Sequence, residues 1–263
     1  MSFMKRTLAS FGIGSAKVDS VLHQDVVYPG DKIKATIHVF GGSSAQEVDQ
    51  IEMKLFCRYI KEVPAQEAIA SDAYPMLRAS ANYTLASWAL PTPFVLAPGE
   101  EREFDVELPT PLNTPITVGN SAVWLETGLN ITMAKDPSDS EILTVRPSPM
   151  LENIFSALES KGLRFRQVEC EAIEGFALPF VQEFEFVPTM GPYHGLWREL
   201  EMVAHHTNDG LDMWFAIDRH RKGVKGMLAS LLSQGELNTQ LNIPATTSTK
   251  EAGEKVIGFL ATL

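Results

Sequence analysis

The chain has 263 residues, with 33 acidic against 22 basic side chains, a net charge of −11 at neutral pH, and 44% hydrophobic residues. That length accommodates two domains with separate cores, and that composition excludes a disordered or fibrous chain. The acidic balance argues against nucleic acid as a partner, because phosphate binding needs a basic surface.

Residues 2–11 predict one short amphipathic helix. Met4, Leu8 and Phe11 fall at i, i+4 and i+7, with Lys5 and Arg6 off that stripe. Such a helix either docks on its own domain or, together with Phe3, lies on a membrane surface, although one turn of basic residues is little charge for stable membrane binding. The first twelve residues lack an apolar core of signal-peptide length, and no later segment approaches the roughly 20 apolar residues of a membrane span. With Cys57 and Cys170 far apart and no further cysteine, neither a disulfide framework nor a zinc spacing arises. A reduced, cytoplasmic protein is expected.

Strand signals follow. Pro29-Gly30 suits the centre of a turn, where Pro presets φ and Gly takes φ > 0. Ile33, Ala35, Ile37 and Val39 then alternate with Lys32, Lys34, Thr36 and His38, and Ile51, Met53, Leu55, Cys57 and Tyr59 repeat the pattern. Residues 62–82 show no clean period and read as a long loop or an irregular edge. Pro98-Gly99-Glu100 opens a strand ending at Leu108-Pro109. Val123, Leu125, Thr127, Leu129, Ile131 and Met133 share one face of a long strand, the mark of a sheet with one buried and one wet face.

Arg146-Pro-Ser-Pro149 ends that run, since Pro cannot donate to a ladder. Ser148 is placed as an N-cap with Pro149 in the first helical turn. Leu151, Ile154, Phe155 and Leu158 form a helical stripe, and Gly162 is placed to stop it. Strands return over 164–173, over 180–187, where Phe184 and Phe186 alternate with Glu183 and Glu185, and over 196–203, 211–218 and 237–243. Val224, Met227, Leu228, Leu231 and Leu232 have helical spacing between Gly223 and Gly235. After a polar linker, Ser248 and Glu251 predict a capping box. The stripe Val256, Phe259, Leu260 and Leu263 predicts a terminal helix that docks on its own domain or on a second copy of the chain. The expected division is an N-terminal β-sandwich over 1–147, a C-terminal β-sandwich with helices over 148–243, and a linker and helix over 244–263.

Longer strings carry a resemblance. The opening residues Met1 to Asp19, Arg58-Tyr-Ile-Lys-Glu62, Pro98-Gly-Glu100, Leu108-Pro109, Pro179 to Pro188 and Gly210 to Arg219 resemble the bacterial sporulation-control family (stage-zero sporulation protein M), which is arrestin-like. The resemblance covers about residues 1–243. It implies an all-β fold of two tandem β-sandwich domains with a few short peripheral helices, no catalytic activity, no cofactor, and a cytoplasmic regulatory or scaffold role exerted through other proteins.

Several side-chain groups invite a chemical reading. His205 and His206, with Asp218 and His220, are the best metal candidates, but adjacent residues of a strand point to opposite faces, so one at most joins His220. Asp218-Arg-His-Arg-Lys222, with Lys225 close by, is the densest basic run of an acidic chain. Arg219, Arg221 and Lys222 are the expected dock for an acidic partner. Val256, Phe259, Leu260 and Leu263 are the expected self-association surface, giving a homo-oligomer. Glu183 and Glu185 share a strand face that is expected to be solvated. No phosphate loop, nucleophile elbow or His-Glu-x-x-His motif occurs. The competing reading is a peripheral membrane adaptor anchored by Phe3, Met4, Leu8 and Phe11, with Lys5 and Arg6 toward the headgroups.

Overall fold

Period-two alternation decides which face of each strand is dry, and it does so along most of this chain. The computed structural model describes residues 15–64, 76–91, 93–132, 136–218 and 239–263. The fold is all-β with two short helices among the described residues, and the chain divides into two compact units.

The first unit comprises Met1–Cys57, Tyr83–Thr114 and Ala122–Arg146. One of its sheets has the order β1 (Lys17–Leu22), β2 (Lys32–Phe40), β6 (Glu101–Pro109), antiparallel throughout. In the other, β3 (Gln46–Pro64) pairs with β7 (Val123–Ile131), which pairs with β8 (Ser138–Leu143). The strands β4 (Met76–Leu90) and β5 (Phe94–Leu96) also pair with β3. The alternating residues of β2, β3 and β7 named above are buried from Ile33 to Val39, from Ile51 to Cys57 and from Val123 to Ile131; Met133 lies outside the described residues. Burying each such Val, Leu or Ile stabilises by roughly 1.5–3 kcal/mol against about 1 for a net hydrogen bond, so the dry faces set the register.

Among these apolar contacts one polar tie joins the two sheets. Ser20 donates its backbone N–H to Asp139 Oδ2 at 2.8 Å, and its hydroxyl bonds Thr127 at 2.8 Å. Burial raises the Asp139 carboxyl above its ordinary value, while the N–H groups of Ser20 and Ser140 oppose that shift. Both expected Pro-Gly turns form. Asp31 N–H donates to Tyr28 O and Glu100 N–H to Ala97 O, each at 3.1 Å, with Gly30 and Gly99 at φ 87° and 68°, where a side chain would strain the backbone.

The second unit takes Arg58–Asn82, Pro115–Ser121 and Pro147–Leu263. Three segments rather than one therefore make up each unit. Strand pairing corrects the expectation for residues 62–82: β3 continues to Pro64 and β4 begins at Met76. The sheet of this unit runs β13 (Gln240–Pro244), β12 (Gly210–Asp218), β11 (Glu199–Thr207), β10 (Phe180–Pro188), β9 (Leu163–Ala172), each pair antiparallel. Beyond β9, Ile60 of β3 forms a parallel bridge with Glu171.

Two helices cover one face of this sheet. α1 (Pro149–Ser160) starts as expected: the Ser148 hydroxyl accepts from Leu151 N–H, and Leu151, Ile154, Phe155 and Leu158 are buried. Phe155 meets Phe165 and Phe184, each with ring centroids 5.0 Å apart. α2 (Thr249–Leu260) is capped by Ser248, whose hydroxyl accepts from Glu251 N–H, and it packs against α1. A Cβ on Gly253 would lie 2.9 Å from Ala157 Cβ and 3.0 Å from Asn153 Oδ1. The missing side chain is what lets the helices approach so closely.

Gly253→Leu is therefore expected to destabilise the protein by ~1–3 kcal/mol, the cost of overpacking a close contact. Gly258→Ala, on the same helix with nothing within 4 Å of its Cβ, is expected to stabilise by about 0.5–1 kcal/mol through helix propensity. Urea denaturation measures both, and a stabilised Gly253→Leu variant would show that the close approach of α1 does not constrain this site.

Candidate functional site

The strand β10 reads Phe-Val-Gln-Glu-Phe-Glu-Phe-Val-Pro, a pattern that ordinarily puts Phe in the core and Glu in water. Phe184 and Phe186 do face α1. Glu183 and Glu185, however, are 3% and 5% exposed, which overturns the expected solvated face. The strand is dry on both sides.

The neighbouring strands explain how carboxylates come to lie there. Glu169 of β9 pairs opposite Glu183, Glu185 opposite Glu201 of β11, and Glu199 opposite Asp218 of β12. Glu169, Glu183, Glu185, Glu199, Glu201 and Asp218 are all buried. Past Glu183 the same part of the sheet turns apolar, with Ile173, Val181, Val203 and Ala216 packed under Phe176 and Trp214.

Three arginines supply opposite charge. Arg198 donates to Asp218 at 2.7 Å. Arg78 of β4 bonds Glu169 and, at 2.7 Å, Glu171. Arg166 sits where the β9–β10 register shifts, so that Gln167 opposes Glu185 and Phe165 opposes Phe186, with Arg166 as the extra residue. A bulge re-aims a side chain, and here it brings Arg166 to Glu199 and within 3.9 Å of Glu185.

These neighbours split the carboxyl groups. Burial works against the Glu169 charge, but hydrogen bonds from Asn120 and Arg78 outweigh it and hold the group below its ordinary value. Burial raises Glu171 even beside Arg78. Glu183 is pushed up to about 9, first by burial and then by the Glu201 carboxylate, with which it shares a hydrogen bond. At neutral pH Glu183 keeps its proton, because two charges there would have neither water nor distance between them.

The residues expected to carry function are placed as follows. Arg219, Arg221 and Lys222 lie outside the described residues, as do His220, the 224–232 helix, and Phe3, Met4, Lys5, Arg6, Leu8 and Phe11. His205 and His206 lie in β11 opposite Asp212 and Leu211; burial lowers both from the ordinary value. In the terminal helix Val256 is fully buried and Leu260 is 1% exposed. Phe259 meets Phe215 at 5.6 Å. The inner part of that stripe is therefore covered by its own unit. Leu260 and Leu263 line a groove of about 600 Å³ with Ile257, Tyr193, Leu196 and Trp197. Cys57 and Cys170 are both buried, and burial pushes Cys170 up to about 12. Among the described residues, one set of histidine and carboxylate atoms converges as metal ligands do. It consists of His38, Glu101 and Glu103, which no motif in the sequence marks.

Comparison with known proteins adds three findings. A family model described as Spo0M, SpoOM protein, matches residues 4–221. The sporulation-control protein spo0M of Bacillus subtilis (strain 168) is 39% identical over 238 residues, spanning 90% of this chain and 88% of that protein. A crystal structure of Spo0M, sporulation control protein, from Bacillus subtilis superposes with a TM-score of 0.80 at 35% identity, covering 95% of this chain and 99% of that one.

The raised Glu183 carboxyl sets a pH dependence. The folded chain holds a proton that the unfolded chain releases above the ordinary 4.5. Stability from the protonated form is full below that value and is lost as pH rises toward 9. One proton of difference is worth about 1.4 kcal/mol per pH unit. Glu183→Gln, neutral at every pH, is expected to gain on the wild type progressively between pH 5 and 9 in urea denaturation. A difference that stays constant with pH would show that Glu183 ionises like a surface carboxylate.

Proposed function

We propose that this chain, which belongs to the Spo0M family of sporulation-control proteins, acts without catalysis as a cytoplasmic regulator that holds protein partners. The observation that carries the reading is likeness along nearly the whole chain to a Bacillus subtilis protein named for sporulation control. The chemistry of the described residues supports it. The carboxylates of the second unit are engaged with arginines and with one another, and a thiol raised as far as Cys170 is a poor nucleophile. Among the described residues no helix is long and apolar enough to cross a membrane.

The dock assigned by this reading is Arg219, Arg221 and Lys222. They follow Asp218, the last residue of β12, in a chain of net charge −11. An acidic partner is repelled by most of such a surface and attracted to a local basic run, which gives orientation as well as attraction. Salt at physiological strength shortens that attraction to about 8 Å.

Affinity capture of the tagged full chain from bacterial cytosol, at low and moderate salt, tests the reading. A reproducible partner is expected, weaker at moderate salt and lost from the Arg219→Glu/Arg221→Glu variant. A partner retained by the variant would overturn the assigned dock. Capture of no protein, together with salt-sensitive sedimentation on anionic vesicles, would replace the reading with the membrane adaptor anchored by the N-terminal stripe.

A further inference from the structure

The outer face of the small sheet in the first unit is a ladder of cross-strand charges. Lys34 stands opposite Glu107, Thr36 opposite Asp105, and His38 opposite Glu103. Most rungs are complete. Glu107 takes Lys32 at 2.7 Å and Lys34 at 3.8 Å, and Asp105 accepts the Thr36 hydroxyl at 2.7 Å. The last rung is different. Glu101 and Glu103, two residues apart on one face, have His38 as the only basic side chain within 4 Å among the described residues. Asp19 stands opposite His38 on its other side and adds further negative charge. Two carboxylates thus share one imidazole where a cation is wanted.

The geometry of that rung is that of a ligand set. His38 Nδ1 lies 3.2 Å from Glu103 Oε1 and 3.9 Å from Glu101 Oε1. All three ligand atoms fall within 4.8 Å of one another. Ligands at ~2.0–2.1 Å from a tetrahedral zinc ion stand about 3.3 Å apart, so a small turn of either glutamate closes the set around an ion. A second observation concerns the nitrogen. His38 Nδ1 is shielded from solvent and has no hydrogen-bond partner among the described residues. Its ring is held at 12° to the Phe40 ring, centroids 6.3 Å apart. A shielded polar atom without a hydrogen bond is ordinarily avoided, and an imidazole nitrogen within 3.9 Å of two carboxylates is a donor set that a metal ion completes.

We propose that His38, Glu101 and Glu103 form a binding site for a zinc-class divalent cation. One imidazole and two carboxylates suit zinc and its neighbours, whereas calcium and magnesium prefer oxygen alone. Three protein ligands leave a coordination position open, and the glutamates, 53% and 62% exposed, set that position toward solvent. The site stands on the first unit and on residues apart from Arg219, Arg221 and Lys222, so it holds or fails independently of the partner dock.

Isothermal titration of the full chain with zinc chloride, in a buffer that does not chelate zinc, tests the site. Magnesium chloride serves as the control. Saturable binding of zinc with no response to magnesium is expected, with a rise in the thermal midpoint as zinc is added. Glu103→Gln and His38→Gln are each expected to weaken binding by more than about tenfold, since even outer-shell partners of metal ligands contribute 10–100-fold. The His205→Gln/His206→Gln variant should bind like the wild type. Nitrogen-15 spectra of the wild type should show zinc shifting Nδ1 of His38, a readout independent of how the variants fold. No binding below millimolar zinc, or binding untouched by the His38 and Glu103 variants, would overturn the site.

Discussion

A carboxylate taken out of water must be paired, hydrogen-bonded or protonated, and the second unit is arranged around that requirement. Its middle strand presents phenylalanine to one side and glutamate to the other, and both sides are dry. The aromatic side needs only a cover, which α1 provides. The acidic side needs charge. Arg166 reaches it through a bulge, Arg78 comes from β4, and Arg198 comes from the residue just before β11. At Glu183, which no arginine bonds among the described residues, the group keeps its proton instead. Burying paired ions rarely adds much net stability, yet removing one partner is expensive. Such a network therefore fixes register and arrangement more than it strengthens the fold.

The first unit solves its electrostatics in the opposite way. Its charges stand on the wet face of a three-stranded sheet, where each ion pair is worth little and a mismatch is tolerated. The dry face of the same strands is Ile33, Ala35, Ile37 and Val39, with no ionisable group at all. Stability in this unit comes from area, with the bonds from Ser20 to Asp139 and to Thr127 as buried polar contacts between the sheets. An incomplete rung such as that at His38 can persist here because the Glu101 and Glu103 carboxylates stand in water, and from their side it stays accessible to an ion.

Much of this architecture is legible in the sequence, for identifiable reasons. The strands β2, β3 and β7 announce themselves because one face is dry and the other wet, which period two records directly. Pro-Gly turns and serine caps are readable because their geometry depends on one or two residues. The acidic face is hidden, because Phe-Glu-Phe looks the same whether the glutamates meet water or arginine. Only the neighbouring Glu169, Glu199 and Glu201, brought alongside by pairing, distinguish the cases. The far ends of β3 and β4 are hidden because strand pairing, not alternation, holds Arg58–Pro64 and Met76–Asn82 in place. His38, Glu101 and Glu103 are far apart in sequence and meet only through the β2–β6 register.

The division of each unit into three stretches of chain has a consequence for how the protein is made. Residues Arg58–Asn82 leave the ribosome early, yet they belong with strands that begin only at Leu163, and Ile60 finds its place beside Glu171. Synthesis therefore begins the second unit before the first is complete. The first can close once Arg146 has emerged, while part of the second waits, exposed, for sequence still to be translated. Pairings so distant along the chain are slow to form and leave apolar strand edges open to other chains meanwhile. Nascent copies of this protein are thus natural clients for chaperones until the last helix, which docks on α1, has been released.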